Sequence, residues 1–200
     1  MVILGFVILY GALHSWLASF EVKAWAEKRF GGSARRFYRL GFNALAVMAL
    51  APLPFLPSIP PDGVLYRIPF PWVGGTLLLQ GLAGLGLLVG VLQTGALAFA
   101  GLRQMTQPPE SLTAEGGRLV TGGLYRWMRH PLYTFGMAFI WLTPVMTRNA
   151  LFLCLGLTGY VIVGAVLEER KLARQFGQAY QDYRKATPMF IPAVGKLFMR

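Results

Sequence analysis

Five apolar segments constrain the fold of this chain more than any other feature of its sequence. They cover residues 1–20, 40–57, 73–101, 132–147 and 150–167. Each approaches the length of about 20 residues that an α-helix needs to cross the hydrocarbon core of a bilayer. A backbone in lipid must satisfy its own hydrogen bonds, and a helix does so within one segment. The sequence therefore predicts an all-α fold, a polytopic membrane bundle of about five transmembrane helices.

The composition agrees with a protein that lies in a bilayer. Hydrophobic residues make up 55% and charged residues 14% of the 200 residues, and the mean hydropathy is +0.51. A soluble domain carries about 25% charged residues. We expect a single membrane domain over residues 1–200. Residues 1–101 would hold three spans, and residues 102–192 would hold a loop, a helical hairpin and a C-terminal helix.

The basic residues are distributed unevenly between the two ends of the apolar segments. All but two of the 19 Lys and Arg residues follow the first, third or fifth segment, and the exceptions are Arg67 and Arg148. Cytoplasmic loops of membrane proteins are enriched in Lys and Arg. We therefore expect a multi-pass protein of a bacterial-type inner membrane, with its N-terminus outside and its C-terminus in the cytoplasm. This asymmetry explains the net charge of +11, so no nucleic-acid partner is expected.

The apolar segments also differ in how they should pack and connect. The third segment contains "GLAGLGLLVG", and small residues of this kind let neighbouring helices approach closely. The fourth and fifth segments are joined at "TRN", which predicts a tight helical hairpin. The outer connection "PSIPPDGVLYRIPFP" is rich in proline, which predicts a rigid non-helical loop.

A further helix is expected after the fifth segment. Leu172, Phe176, Tyr180 and Tyr183 recur at the spacing of one helix face. Such a C-terminal amphipathic helix should lie in the cytoplasm, against the membrane or under the bundle.

Polar residues converge at the cytoplasmic end of the hairpin. The stretch "GGLYRWMRHPLY" at residues 122–133 leads into the fourth segment, and Glu168 and Glu169 leave the fifth. Taken singly, these residues are explained by a helix start at Pro131, by interfacial anchors and by ion pairs. Taken together, they offer free N–H groups at a helix start for a carboxylate, acids for an ammonium group, and tyrosine rings for a soft cation. S-adenosylmethionine has this pattern of charges.

These two motifs resemble a known superfamily of membrane enzymes. The order is "TGGLYRWMRHPLYTFG", a hydrophobic hairpin, and then "EERKLARQFGQAYQDYRKATPMFIP", over about residues 120–192. It is similar to the isoprenylcysteine carboxyl methyltransferase and phospholipid methyltransferase superfamily. The resemblance implies an S-adenosylmethionine-dependent methyltransferase whose site faces the cytoplasm and whose acceptor reaches the methyl group from the bilayer.

The resemblance also implies a set of site residues. Those expected to bind the cofactor are Tyr125, Arg129, His130, Pro131, Tyr133, Glu168, Glu169, Tyr180 and Tyr183. Within this set, Glu168 would take the amino group of S-adenosylmethionine and Glu169 would support it. Arg129 and His130 are the catalytic candidates, with His130 either a base for the acceptor or a positioning group. No zinc-type spacing is present, and we expect no metal ligands in the transferase.

The N-terminal half of the chain suggests a different class. "HSWLASFEVKAWAEKRFGGSARRFYRLGFN" resembles the NnrU-like family, which includes ζ-carotene isomerases, and "GLRQ" at residues 101–104 resembles methanethiol S-methyltransferases. In the isomerase branch, the resemblance implies that His14 and His130 are ligands of a haem b. The alternatives are therefore an NnrU-like haem protein, either an isomerase or a protein of nitric-oxide metabolism, and a non-catalytic relative. For the transferase, the acceptor stays open among prenylated proteins, small thiols, phospholipid amines, other lipids and carboxylates.

Overall fold

The computed structural model describes residues 2–59, 62–95, 102 and 119–192, and within them the chain is mostly helical. The helices are α1 Val2–Leu17, α2 Phe20–Phe30, α3 Gly32–Leu50, α4 Trp72–Gln93, α5 Pro131–Trp141, α6 Arg148–Phe176 and α7 Gln178–Ala186. Two short strands, β1 Val64–Arg67 and β2 Val145–Thr147, form a two-stranded sheet. Short 3-10 helices cover Leu53–Ser58 and Gly123–Arg126.

The sheet corrects the all-α expectation and the interpretation of the outer connection. Residues 57–71, expected to form a rigid non-helical loop, contain the last two residues of the 3-10 helix Leu53–Ser58 and strand β1. Beyond the strands, the amide N–H of Ile68 donates to the carbonyl oxygen of Pro144 over 2.9 Å. Proline cannot donate a backbone hydrogen bond, so the proline-rich flanks disfavour a continuous helix there. Short extended pieces that pair with each other satisfy the backbone instead.

Three helical stretches in the described part of the chain are long and apolar enough to cross a membrane. They are Phe37–Ser58, Trp72–Gln93 and Arg148–Phe176. A fourth is added if Val2–Leu17 and Glu21–Phe30, which meet at a bend of 55°, form one broken span. The expected number of about five is not reached, because α5 has only 11 residues. At 1.5 Å per residue α5 rises about 16 Å, about half of a hydrocarbon core.

The chain divides into two compact units, and the first comprises Met1–Gly63, Thr94–Arg118 and Thr147–Gly156. Within it, the side chain of Ser19 caps α2 by accepting from the amide N–H of Val22 over 3.4 Å. His14 lies on α1 with its ring centroid 5.6 Å from that of Tyr10 and 4.8 Å from that of Phe42. These rings line an almost entirely apolar cavity of ≈ 420 Å³ between α1 and α3.

The second unit comprises Val64–Gln93, Leu119–Met146 and Leu157–Arg200, and it contains the glycine-rich helix α4 packed against α5. A Cβ atom added to Gly86 would lie 2.6 Å from the ring of Phe135, and one added to Gly90 would lie 2.8 Å from Leu132. The prediction that glycines permit close helix packing is confirmed at these two positions. The prediction of one domain over residues 1–200 stays a prediction.

The connection between α5 and α6 differs from the tight turn expected at "TRN". Helix α5 ends at Trp141, strand β2 follows, and α6 begins at Arg148. Thr147 ends the strand and caps α6, since its hydroxyl oxygen accepts from the amide N–H of Ala150 over 3.1 Å. The two helices still contact each other, because the indole N–H of Trp141 donates to the Thr158 hydroxyl over 2.9 Å.

The C-terminal helix is also shorter than the sequence pattern indicates. Leu172 and Phe176 belong to the long helix α6, whereas Tyr180 and Tyr183 belong to α7. The break falls at Gly177, whose φ of +54° is a conformation that other residues rarely adopt. One continuous amphipathic face from Leu172 to Tyr183 is therefore wrong. The expectation that α7 lies against the membrane stays a prediction.

Candidate functional site

A buried ion pair between Arg129 and Glu169 forms the centre of the site. Arg129 lies just before α5, and its Nε and Nη2 atoms lie 2.7 Å and 2.6 Å from Oε1 of Glu169 on α6. Both side chains are less than a tenth exposed. Arg184 of α7 adds a longer contact, with its Nε 3.5 Å from Oε2 of Glu169. Breaking a buried pair is costly because it leaves an uncompensated charge. The cluster therefore holds the residues before α5, helix α6 and helix α7 together.

The segment that follows α7 is hydrogen-bonded along the start of α5. Nη1 of Arg129 donates to the carbonyl oxygens of Arg184 (3.0 Å) and Thr187. The amide N–H groups of Arg129 and His130 donate to the carbonyl oxygens of Pro188 (2.9 Å) and Met189 (3.1 Å). These bonds satisfy the two amide N–H groups just before α5 and hold the C-terminal segment against the start of that helix.

His130 lies between the two glutamates. Its Nε2 is 3.3 Å from Oε1 of Glu169, and its Nδ1 is 3.7 Å from Oε2 of Glu168. Burial lowers the pKa of His130 below its ordinary value, against the opposing influence of both carboxylates. Glu169 is ion-paired with Arg129 and can only accept, so the neutral imidazole carries its proton on Nε2. Nδ1 is then an acceptor that faces a second acceptor, Glu168.

Glu168 differs from its neighbour in exposure and in partners. Its side chain is 46% exposed, and it accepts one hydrogen bond, from the Tyr133 hydroxyl over 2.9 Å. The Tyr133 ring stacks on His130 with centroids 5.3 Å apart and planes 11° from parallel. The adjacent glutamates therefore have separate environments: Glu169 is buried in an ion cluster, and Glu168 is an accessible carboxylate with a tyrosine at its side.

Two further tyrosines of the expected set take structural positions around this cluster. The Tyr183 hydroxyl donates to the carbonyl oxygen of Tyr125 over 2.6 Å and ties α7 to the 3-10 helix Gly123–Arg126. Burial, together with the nearby Glu168 carboxylate, raises the pKa of Tyr125 to about 12. The Tyr125 hydroxyl therefore stays protonated at neutral pH.

Tyr180 is among the most deeply buried side chains in the described part of the molecule. It is 1% exposed, and its hydroxyl has no hydrogen-bond partner of good geometry among the described residues. Burial and the Glu169 carboxylate raise its pKa to about 12. It packs at the edge of the Arg129–Glu169 pair, and its ring meets that of Tyr183 edge-on at 6.2 Å.

The structure thus brings most of the expected residues together and adds others. Pro131 begins α5 and is fully buried. Thr134, Arg184, Thr187 and Phe190 were not expected from the sequence but contact this cluster, and Tyr160 is near enough to Tyr133 to interact with it electrostatically. For Tyr160 a signal existed, since it precedes Glu168 by eight residues, two turns along the same helix. His14 belongs to the first unit, and residues 101, 103 and 104 of "GLRQ" lie outside the described residues.

Fold and site together define a class: a helical membrane protein with adjacent glutamates, a buried Arg–Glu pair and a tyrosine stacked on a histidine. The phospholipid methyltransferase family model matches residues 79–179, which include all of α5 and α6. The chain belongs to the phospholipid methyltransferase family and is a methyltransferase.

Similar proteins carry a more specific name. The methanethiol S-methyltransferase of Crocosphaera subtropica is 29% identical over 96% of this chain and 74% of its own length. That of a Pseudomonas species is 27% identical over 93% of this chain and 70% of its own length. Methanethiol S-methyltransferase 2 of Bradyrhizobium diazoefficiens is 36% identical over 62% of this chain and 48% of its own length. No solved structure is significantly similar to the chain.

Proposed function

We propose that the protein transfers the methyl group of S-adenosylmethionine to a small thiol at the membrane. The single observation that carries this proposal is the arrangement of Glu168 and His130. Oε2 of Glu168 and Nδ1 of His130 lie 3.7 Å apart, too far for a direct hydrogen bond. Both are acceptors when the imidazole is neutral. An ammonium group donates to both at once, and the amino group of S-adenosylmethionine is such a donor.

The neighbouring groups suit the rest of the same molecule. The first amide N–H groups of α5, at Leu132 and Tyr133, have no carbonyl of a preceding turn to bond, and such groups attract a carboxylate. The rings of Tyr125 and Tyr133 border Glu168. Aromatic faces stabilise sulfonium and other soft cations. Carboxylate, ammonium and sulfonium therefore each have a matching group in this part of the second unit.

Arg129 and Glu169 act as positioning residues in this proposal. Arg129 is engaged by Glu169 and by two backbone carbonyls, and Glu169 holds Nε2 of His130. The pair thereby fixes the imidazole so that Nδ1 faces Glu168. Tyr180 and Tyr183 pack α7 against the same cluster. In this proposal His130 binds the amino group of S-adenosylmethionine. It is therefore a positioning group and not a base for the methyl acceptor.

S-adenosylmethionine, held by Glu168 and His130, would supply an electrophilic methyl group to the acceptor thiol. The methyl group would leave the cofactor sulfur, which keeps the bonding electron pair, and the thiol proton would be released to solvent. The chain contributes alignment and exclusion of water. The acceptor class is taken from the relatives, whose names specify methanethiol.

The site is proposed to face the cytoplasm. All but two of the 19 Lys and Arg residues lie in the connections after the first, third and fifth apolar segments. Arg129 and Glu169 lie in these same connections. Cytoplasmic loops are where such residues accumulate. The N-terminus would then lie outside and the C-terminus inside a bacterial-type inner membrane.

The direct test is an assay of the purified protein in detergent with radiolabelled S-adenosylmethionine. We expect binding of the cofactor and label in dimethyl sulfide when methanethiol is the acceptor. Phosphatidylethanolamine and a prenylated cysteine are the competing acceptors, and labelling of either one instead would overturn the thiol assignment. A visible spectrum of the same sample tests the haem alternative. We expect no Soret band, and a stoichiometric band abolished by His14→Ala would contradict the transferase.

A further inference from the structure

The cavity of ≈ 420 Å³ between α1 and α3 is lined by none of the residues proposed to bind S-adenosylmethionine. It lies within the first unit. Protein interiors contain few voids larger than a water molecule, whereas pockets that bind small molecules measure about 300–1,000 Å³. The cavity therefore has the size of a binding site of its own.

The two helices beside the cavity run in opposite directions. The Tyr38 hydroxyl donates to the carbonyl oxygen of Leu17 over 2.5 Å, and the ring centroids of His14 and Phe42 lie 4.8 Å apart. On α1 the lining extends from Phe6 to Leu17, which is about 16 Å of helix. A hydrocarbon core is about 30 Å thick. The cavity is thus as long as one leaflet of a bilayer is deep.

The lining offers almost no polar surface, although Tyr10 and His14 take part in it. An apolar cavity gives water no hydrogen bonds and takes up apolar molecules instead. Leu13 and Leu45, which also line the cavity, are exposed, and its α3 side lies within the candidate membrane span Phe37–Ser58. In a bilayer the cavity is therefore next to the hydrocarbon chains of the lipids.

The two ends of the cavity differ in charge. Residues 18–41, at the end formed by Leu17, contain six Lys and Arg and two Glu, whereas residues 42–66 contain no Lys or Arg. The exposed Arg39 precedes Phe42 by three residues, so it lies on the cavity face of α3, one turn nearer the start of that helix. Its side chain leans towards that start and hence away from the hydrocarbon. A guanidinium in this position suits a phosphate group.

We propose that one acyl chain of a membrane phospholipid occupies this cavity, with the phosphate of the lipid bound by Arg39. The chain runs between α1 and α3 over the depth of one leaflet and makes dispersion contacts with both helices. The guanidinium donates hydrogen bonds to the phosphate oxygens. This lipid is a bound component of the first unit and not a methyl acceptor, so the proposal does not depend on the transferase reaction.

Native mass spectrometry of the full chain, purified in a mild detergent, is the first test. We expect one phospholipid bound per chain in the wild type. Ala46→Trp should lower this occupancy at least about tenfold, because the indole takes the volume of the acyl chain. The matched control is Ala44→Trp, since Ala44 is exposed on the same helix and does not line the cavity. Ala49→Phe, also in the lining, replaces Ala46→Trp if that variant does not fold.

The second test compares two lipids added to the delipidated protein. Dioleoyl phosphatidylglycerol and dioleoylglycerol have the same acyl chains, but only the first has a phosphate. We expect phosphatidylglycerol to bind at least about tenfold more tightly, because hydrogen bonds between charged groups are the stronger ones. Arg39→Gln should remove most of this difference. Lys28→Gln is the control, because Lys28 is an exposed basic residue of α2 at the same end of the unit.

Three results would overturn the proposal. The first is a wild-type protein without bound phospholipid, or with an isoprenoid or a porphyrin in its place. The second is equal occupancy in Ala46→Trp and Ala44→Trp, which would place the lipid outside the cavity. The third is equal affinity for the two lipids, or an equal loss in Arg39→Gln and Lys28→Gln, which would show that Arg39 does not bind the phosphate.

Discussion

At the scale of single residues, the site depends on the different environments of two adjacent glutamates. Glu169 is buried and paired with Arg129, whereas the Glu168 side chain is 46% exposed. The sequence indicates that both acids lie near the "RHP" motif, since the hairpin brings the ends of the two segments together. It does not specify which acid is buried. That assignment depends on the rotation of α6 about its axis, which the packing against Arg129 and α7 decides.

Glu169→Gln is expected to destabilise the protein, because it leaves the buried Arg129 guanidinium without a counter-charge. Breaking a buried pair in this way costs about 3–5 kcal/mol. Chemical denaturation in detergent measures the loss. Asp182→Asn is the control, since Asp182 is exposed and hydrogen-bonded to Gln178 on the same helix. Equal stabilities of the two variants would show that the Arg129–Glu169 pair does not fix the site.

The His130 imidazole predicts a pH dependence of cofactor binding. Burial lowers its pKa in the folded protein, so the unfolded chain binds more protons in the window below the ordinary pKa of about 6.5. As the pH falls through the pKa of His130 in the folded protein, the protein therefore loses stability. Nδ1 gains a proton at the same time and can no longer accept a hydrogen bond. We expect S-adenosylmethionine to bind more weakly at about pH 5.5 than at pH 7.5. His130→Gln should bind weakly at both values, and a variant with the full wild-type dependence would show that another group titrates.

At the scale of elements, glycine positions fix how α4 meets α5. The pattern of apolar residues predicts both helices, and the small residues indicate a close approach. The strand between α5 and α6 was not predictable, because "VMT" is too short to show a period and its pairing partner β1 is remote in sequence. The break at Gly177 had one signal, the glycine itself, but the spacing of Leu172, Phe176 and Tyr180 continues through it and favoured one helix.

Gly86→Ala should lower stability, because the added Cβ would lie 2.6 Å from the ring of Phe135. Over-packing of this kind costs about 1–3 kcal/mol. The matched control is Gly81→Ala on the same helix, where a Cβ meets nothing within 4 Å and the better helix propensity adds about 0.5–1 kcal/mol. The Tm of both variants is the measurement. A Gly86→Ala protein as stable as Gly81→Ala would contradict the close contact of α4 with α5.

At the scale of the whole molecule, the sequence predicts a membrane protein and the family, while the number of crossings depends on geometry. Helix α5 alone is too short to cross. Strand β2, Val145–Thr147, adds about 10 Å at about 3.3 Å per residue, so helix and strand together rise less than the core of about 30 Å. Pairing of Ile68 with Pro144 satisfies backbone groups beyond the helix. The described residues hold three or four candidate crossings, and a fifth stays a prediction.

The five crossings expected from the sequence would put the two termini on opposite sides of the membrane. Reporter fusions after Ala193 and within residues 58–71 measure this directly. We expect cytoplasmic reporter activity only from the fusion after Ala193. Cytoplasmic activity from the fusion within residues 58–71 would reject the orientation.

The central claim, that Glu168 holds the amino group of S-adenosylmethionine, is tested most directly by the Kd of Glu168→Gln. This change keeps the shape of the side chain and removes its charge, and hydrogen bonds to charged groups contribute about 1.5–3 kcal/mol. We predict binding weaker by at least about tenfold at an unchanged Tm. Tyr66→Phe is the control, because the Tyr66 hydroxyl bonds the carbonyl oxygen of Thr143 over 3.3 Å beside strand β1 and contacts none of the site residues in the described structure. Wild-type affinity in Glu168→Gln, or an equal loss in Tyr66→Phe, would contradict the account.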